Sequence, residues 1–232
     1  MATEFRGGMG SAIAHDSAHK HVSGEAIYLD DIPNPAGLLH GQIVMSTKAH
    51  AKILSIDATE ALALDGVIAI YTAKDIIGHN DAAPIFSNEP VLAEEIVEYV
   101  GMPLAVIVAD SFKLASKAAL MVKVEYEDLE PILSIQDALK KESFVAADHT
   151  LRLGDAKAAI EKSQHNLKGH YTIGGQDHFY LEGQIAMAVP EEDKDLLVYS
   201  STQHPSEVQA LVAEFMNFDL HKVTVEVRRM GG

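Results

Sequence analysis

Cysteine is absent from the 232 residues. The chain therefore forms no disulfide, offers no thiolate to zinc and ligates no iron–sulfur cluster of its own. Positive charge is also scarce. Eighteen Lys and Arg stand against 34 Asp and Glu, a formal charge of −16. Without a basic stripe to neutralise phosphates, such a chain repels nucleic acid and anionic membrane surfaces. Arg228-Arg229 is the densest basic spot, and two residues do not make a patch. Apolar runs such as 104–109 are far too short to span a bilayer. Residues 1–10 carry one arginine and no apolar core, so no secretory signal is read there, and the expected compartment is the cytoplasm. No phosphate-binding loop, nucleophile elbow or G-x-G-x-x-G fingerprint occurs.

What is present is a globular composition, 47% hydrophobic and 22% charged, of a length that suits one large domain or two ordinary ones. Residues 1–20 are Gly-rich and His-dotted without periodicity and read as a mobile arm, with structure beginning near Glu25. Strands are predicted at 38–46, 51–56, 67–71, 103–109 and 122–126, with helices at 58–64 and at 111–120, the latter N-capped by Ser111. The stretch 80–90 reads as a loop. This mixture gives an α+β domain over 21–130. A connector follows at 131–154, holding one short helix opened by Ser134 and Asp137 in the manner of a capping box. Over 155–232 the pattern changes: a helix at 155–163, strands at 165–173, 184–189, 196–201 and 223–228, and a helix at 205–216 opened by Pro205 and Glu207. This second domain reads as incomplete, and residues 217–232 are expected to be disordered or to associate non-natively for want of cover.

Gly174-Gly175-Gln176-Asp177-His178-Phe179-Tyr180-Leu181-Glu182 is the densest run of chemistry. Two glycines permit close backbone approach. The polar groups behind them are costly to bury without partners, and a ligand is one such partner. Gln176 donates and accepts at once without charge, which suits a neutral oxo or hydroxo ligand. It also suits tying two loops together. His178 beside Asp177 can act as a base or simply fix loop geometry. His15, His19 and His21 lack carboxylates or cysteines at metal-ligand spacing and read as part of a solvated tail. Glu94-Glu95 and the run Glu125, Glu127, Asp128, Glu130 read as solvated faces or subunit contacts, with no acid/base pair in their spacing.

The Gly-Gly-Gln string closely resembles the cofactor-proximal segment of the molybdenum subunit in the xanthine oxidase/aldehyde oxidase family, and its xanthine dehydrogenase branch in particular. Ser23-Gly24-Glu25-Ala26-Ile27-Tyr28-Leu29-Asp30-Asp31-Ile32-Pro33 is similar to that family's entry into its α/β-hammerhead domain. Ala49-His50-Ala51-Lys52-Ile53, Tyr99-Val100-Gly101, Val106-Ile107-Val108-Ala109-Asp110, Ser201-Thr202-Gln203 and Val227-Arg228-Arg229-Met230-Gly231-Gly232 are similar to later landmarks, in the family's order.

The resemblance implies a hammerhead domain followed by the first part of a molybdenum-cofactor-binding domain. It implies hydroxylation of hypoxanthine or xanthine with a molybdenum–molybdopterin cofactor, electrons leaving through 2Fe–2S clusters and FAD on partner domains or subunits. Gln176 would lie beside the molybdenum without ligating it directly, and Gly175, Gly231 and Gly232 would wrap the cofactor. The family's substrate-binding residues and glutamate base have no counterpart up to Gly232. On this resemblance the chain is an N-terminal portion of the subunit, with no catalytic residue of its own, expected to be inactive without the remainder. A related hydroxylase for aldehydes or N-heterocycles, and a non-catalytic assembly module, are the alternatives.

Overall fold

Strands β1 (His40–Met45) and β3 (Val67–Thr72) share one partner, β5 (Pro103–Ala109), which lies between them antiparallel to both. The computed structural model describes residues 8–83 and 88–230. Ahead of these strands, α1 (Ala18–Ser23) ends at Gly24, whose φ of 80° makes the left-handed cap. Between them come β2 (Ala51–Asp57) and the single turn α2 (Thr59–Leu62), and between β3 and β5 comes the short β4 (Ile96–Val97). After β5 follow α3 (Phe112–Ala119) and β6 (Lys123–Asp128).

The sequence of β5 is apolar on both faces because both are covered, as expected of a central strand. Ile107 and Ala105 pack with Val44, Ala61 and Ala118 against α2 and α3. Leu104 instead joins Ala51, Ala93, Val97 and Met102 beneath a second antiparallel sheet, β4-β2-β6. One strand thus supplies two cores. In β6 the alternation sends Val124 and Tyr126 inward and Glu125, Glu127 and Asp128 to solvent. The acidic run is therefore an exposed face: Glu125 accepts from Ser55 Oγ at 3.0 Å and Asp128 pairs with Lys48 at 2.7 Å.

Beyond β6 come α4 (Ile135–Lys140) and α5 (Ala156–Lys162). Ser134 Oγ accepts from Asp137 N at 3.0 Å and donates to the Asp137 carboxylate at 2.7 Å, so the acid closes the cap on the hydroxyl. Asp155 caps α5 by accepting from Ala158 N at 2.9 Å. The last unit is a three-stranded sheet, β7 (Ala186–Pro190), β8 (Leu196–Ser200) and β9 (Val223–Glu226), with α6 (Pro205–Met216) crossing between the parallel pair β8 and β9. A parallel pair requires such a crossover. Pro205 at its first position and the His204 ring, accepting from Glu207 N at 3.0 Å, start the helix. Asn217, φ 53°, stops it. Its inner face packs Val208, Val212 and Ala213 on Val198 and Val223.

The loop after β3 closes the far end of this helix. Gly78 N donates to Phe215 O at 3.0 Å and His79 N to Glu214 O at 3.1 Å, supplying last-turn carbonyls with donors the helix lacks.

Several expectations change. Residues 165–173 form no strand; Leu167, Tyr171 and Ile173 are 96, 80 and 85% exposed. Their alternation is real, but a strand requires a neighbour to accept and donate along its edge, and among the described residues none lies alongside. Order begins earlier than Glu25, because α1 occupies the end of the supposed arm. Ser111 precedes α3 in extended conformation, yet its hydroxyl makes no cap bond; only its carbonyl accepts, from Ala115 N at 2.9 Å. Residues 217–226, expected to lack order, carry the Asn217 cap and β9, because Val223 is buried under α6.

Candidate functional site

The Gly-Gly-Gln strip leaves the described structure on an open face. A Cβ added to Gly174 or Gly175 would meet nothing within 4 Å, and Gln176, Asp177 and His178 are exposed. Asp177 Oδ1 accepts from Phe179 N at 3.2 Å, and Phe179 takes a φ of 53°, so the strip turns sharply just after its polar residues. Phe179 is 97% exposed and Leu181 85% exposed, while Tyr180 is half-buried. Glu182 ends the run with a carboxylate that accepts from Leu29 N at 2.7 Å.

That contact closes one side of a cleft of about 330 Å³ lined by His15, His21, Tyr28, Leu181, Glu182 and Arg229, among others. The Tyr28 hydroxyl lies 3.1 Å from His21 Nδ1, and the His15 and His21 rings are 5.8 Å apart between centroids. Arg228, which also lines the cleft, pairs with Glu226 at 2.8 Å, and Arg229 Nη1 donates to Arg228 O at 2.7 Å. Arg229 Nε is buried and has no partner among the described residues.

The two motifs singled out in the sequence therefore meet at their ends. Leu181 and Glu182 share a cleft with Arg228, Arg229 and Met230, whereas Gly175 and Gln176 stand outside it on the open strip. Gly231 and Gly232 lie outside the described residues. His15 and His21, read as part of a solvated tail, line the cleft with Tyr28; no group of three or more metal-ligating side chains occurs among the described residues. Sequence reasoning assigned no role to Tyr28 or Glu182. The Glu182 contact joins residues 153 positions apart, while Tyr28 meets His21 seven positions before it, and the only signal was that both belong to quoted motifs. Among the described residues no helix is long and apolar enough to cross a membrane.

Chemically, the strip can present a neutral amide and open backbone to a group rich in polar atoms. Arg229 Nε is a buried donor with no partner among the described residues, in the cleft that Leu181 and Glu182 also line. These features fit one wall of a site for a large oxygen-bearing cofactor. They do not form an enclosed pocket around Gln176.

The pattern described as "Aldehyde oxidase and xanthine dehydrogenase, a/b hammerhead domain" matches residues 23–130, and "Molybdopterin cofactor-binding domain" matches residues 137–232. The chain belongs to the aldehyde oxidase and xanthine dehydrogenase family. Its fold is accordingly a hammerhead domain followed by a molybdopterin cofactor-binding domain. Within the family, xanthine dehydrogenase of Calliphora vicina is 43% identical over 221 residues, covering 94% of this chain and 16% of that protein. Aldehyde oxidase 2 of Cavia porcellus is 42% identical over 226 residues, covering 97% of this chain and 17% of its own length. The chain thus spans about a sixth of the length of these relatives. Among solved structures, quinoline 2-oxidoreductase from Pseudomonas putida 86 superposes with a TM-score of 0.78 at 28% identity, over 96% of this chain and 30% of that one. An aldehyde oxidoreductase from Desulfovibrio desulfuricans shares the fold, with a TM-score of 0.82 at 24% identity, over 94% of this chain and 26% of its own.

Proposed function

We propose that this chain is the part of a xanthine dehydrogenase molybdenum subunit that carries the hammerhead and one wall of the cofactor site. The observation that carries the reading is the tandem of family matches with an open Gly174-Gly175-Gln176 strip inside the second. Gln176 would hydrogen-bond the cofactor beside the metal without ligating it. Gly175 lets the backbone approach closely, and Gly231 and Gly232, following Met230 at the cleft, would wrap the same group. The molybdenum–molybdopterin group, when bound, supplies the redox chemistry, and the chain orients it. The division we assign is an N-terminal segment at 1–20 that runs into α1, the hammerhead at 21–130, a connector at 131–154 and the cofactor-binding part at 155–232. The partners are the remainder of the subunit and FAD/iron–sulfur domains, consistent with a chain that has no cysteine to hold a cluster. The substrate is a purine, oxidised in purine catabolism in the cytoplasm.

A second reading, oxidation of aldehydes or N-heterocycles, is favoured by the 42% identity to an aldehyde oxidase and the fold shared with a quinoline oxidoreductase. Comparison of kcat/KM for xanthine, an aldehyde and quinoline in the complete enzyme separates the two.

The test of the site is Gln176→Ala in the complete, molybdenum-loaded enzyme. Turnover is expected to fall about 10- to 100-fold, as for residues that orient a metal site from outside its ligand set. Because Gln176 is exposed, the melting temperature should move by less than about 2 °C. A loss of stability that accounts for the loss of rate would overturn the assignment.

A further inference from the structure

We propose that Glu182 is a positioning residue. Its carboxylate, tied to the backbone N–H of Leu29, sets the direction in which the Gly174–Gln176 strip faces the cofactor. The inference rests on the reading of Gln176 as a neighbour of that cofactor.

Residues 164–183 contain no helix or strand, and their side chains are mostly exposed. Among the described residues, two hydrogen bonds fasten this stretch to distant parts of the chain. Leu29 N donates to Glu182 Oε1 at 2.7 Å, and Ser201 Oγ donates to Gly183 O at 2.9 Å. The Ser201 hydroxyl also accepts from Ile185 N at 3.0 Å, so it fixes where the chain enters β7. The Glu182 contact spans 153 positions and ties the stretch to the segment ahead of β1. One anchor at Gly183 holds the end of the strip in place but leaves it free to pivot. A second anchor at Glu182, immediately before it, fixes the direction. Toward its N-terminal end the strip has no such hold back to α5.

The anchoring point is stiff. Leu29 is buried, 7% exposed, and opens a one-turn helix, Leu29–Asp31. That turn is closed by Tyr28 N donating to Asp31 Oδ2 at 2.9 Å and Asp31 N donating to Tyr28 O at 3.1 Å. The N–H of Leu29 begins the turn, so it has no acceptor within it. A buried donor in that position requires one from elsewhere, and a carboxylate gives the stronger, charge-assisted bond. From Glu182 the path back to Gln176 is short and bent by Phe179 at φ 53°, with Asp177 Oδ1 holding Phe179 N. Fixing Glu182 therefore sets where the bend starts.

The test uses Glu182→Ala, Glu182→Gln and Gln176→Ala, with two kinds of measurement. In the isotope-labelled chain, Leu29 amide hydrogen exchange and the heteronuclear NOE of Gly175 and Gln176 are read by NMR. Glu182→Ala should speed Leu29 exchange by about tenfold or more, the loss of one bond to a charged acceptor, and lower the NOE at Gly175 and Gln176. Glu182→Gln keeps an oxygen acceptor and should retain most of both. An unchanged NOE at Gln176 in the alanine variant, or a glutamine variant no better than alanine, overturns the proposal. If the alanine variant does not fold, Glu182→Asp, one methylene shorter, takes its place with the same expectations.

In the complete molybdenum-loaded enzyme, turnover per molybdenum should fall for both Gln176→Ala and Glu182→Ala, with Glu182→Gln recovering. A fall for Gln176→Ala alone refutes the positioning role and leaves the site reading standing. A fall for Glu182→Ala alone shows that Glu182 does not act through Gln176, and also refutes it. If neither falls, the site reading fails, and the NMR result alone decides whether Glu182 orders the strip.

Discussion

Gly78 offers the sharpest perturbation in the molecule. A Cβ built on it would sit 1.8 Å from the backbone oxygen of Glu214, 2.8 Å from that of Phe215 and 2.9 Å from the amide nitrogen of Asn217. Its φ is not in the left-handed region, so the obstacle is contact with a helix end and not backbone strain. The obstructing atoms are backbone and cannot rotate away. Relief comes only by separating the β3 loop from the end of α6, which breaks the bonds from Gly78 N and His79 N at 3.0 and 3.1 Å. At about 1 kcal/mol net each, and with desolvated carbonyls left behind, the loss is roughly 2–4 kcal/mol. Alanine returns about 0.4–1 kcal/mol by restricting the unfolded chain. The net expectation for Gly78→Ala is a loss of about 2 kcal/mol, or a melting temperature lower by about 4–8 °C in a chain of this length. Gly183→Ala is the control, since its Cβ meets nothing within 4 Å and its φ is not left-handed. Calorimetry reads the melting temperature, and hydrogen exchange at Gly78 and His79 reads the two bonds. A Gly78→Ala chain that melts within about 1 °C of the parent, with the His79 amide still protected, would refute the reasoning.

Two further predictions concern a loop and a helix start. Asp81 accepts from Asn88 N at 2.8 Å, Ala83 N at 2.9 Å and Glu89 N at 3.1 Å. These bonds, that from Asn88 foremost, hold its carboxyl below the usual carboxylate range. A lowered native pKa means that the Asp81 contribution is present above the unfolded-state value of about 3.9 and is lost as pH falls through the native one. A carbon-13 titration of the Asp81 carboxyl should therefore show its midpoint below that value, with the Asn88 amide shift moving in step; a midpoint at or above it refutes the triple acceptance. His204→Ala should destabilise by about 1 kcal/mol, the usual worth of an N-cap side chain, and His204→Ser should restore most of it; equal melting of all three would show that Pro205 alone starts the helix.

Elements whose cause is local were legible in the residues themselves. The β5 run 103–109 is apolar throughout because it is central, and Pro205 with Glu207 marks the start of α6 correctly. The family resemblance drew on short strings that keep their order, and both domain matches agree with it. Causes that lie elsewhere in the chain were not legible. Residues 165–173 alternate as a strand would, but the pattern does not say whether a neighbouring strand exists. Ser111 has the right type and place for a cap, yet its hydroxyl makes no cap bond. Nothing around Gly78 announces that a helix more than a hundred residues later will press on its Cα, and nothing in the FYLE string says that its acid will find Leu29. The histidines of the arm acquire surroundings only when Tyr28 and Arg229 are brought to them.

The placement of β5 between β1 and β3 bears on how the chain is made. Both flanking strands leave the ribosome before the strand that joins them, and between Met45 and Ala109 lie 64 positions of synthesis. At about 5–20 residues per second, that is roughly 3 to 13 seconds during which β1 waits with its edge open. Neither early strand can pair with the other in the native order, so the first sheet closes late and all at once. Ile43 and Met45 on β1 and Ile68 on β3 remain partly exposed even after closure, so the nascent edges are apolar as well as unpaired. A chaperone that shields extended apolar segments would have its brief window here, before residue 109 emerges.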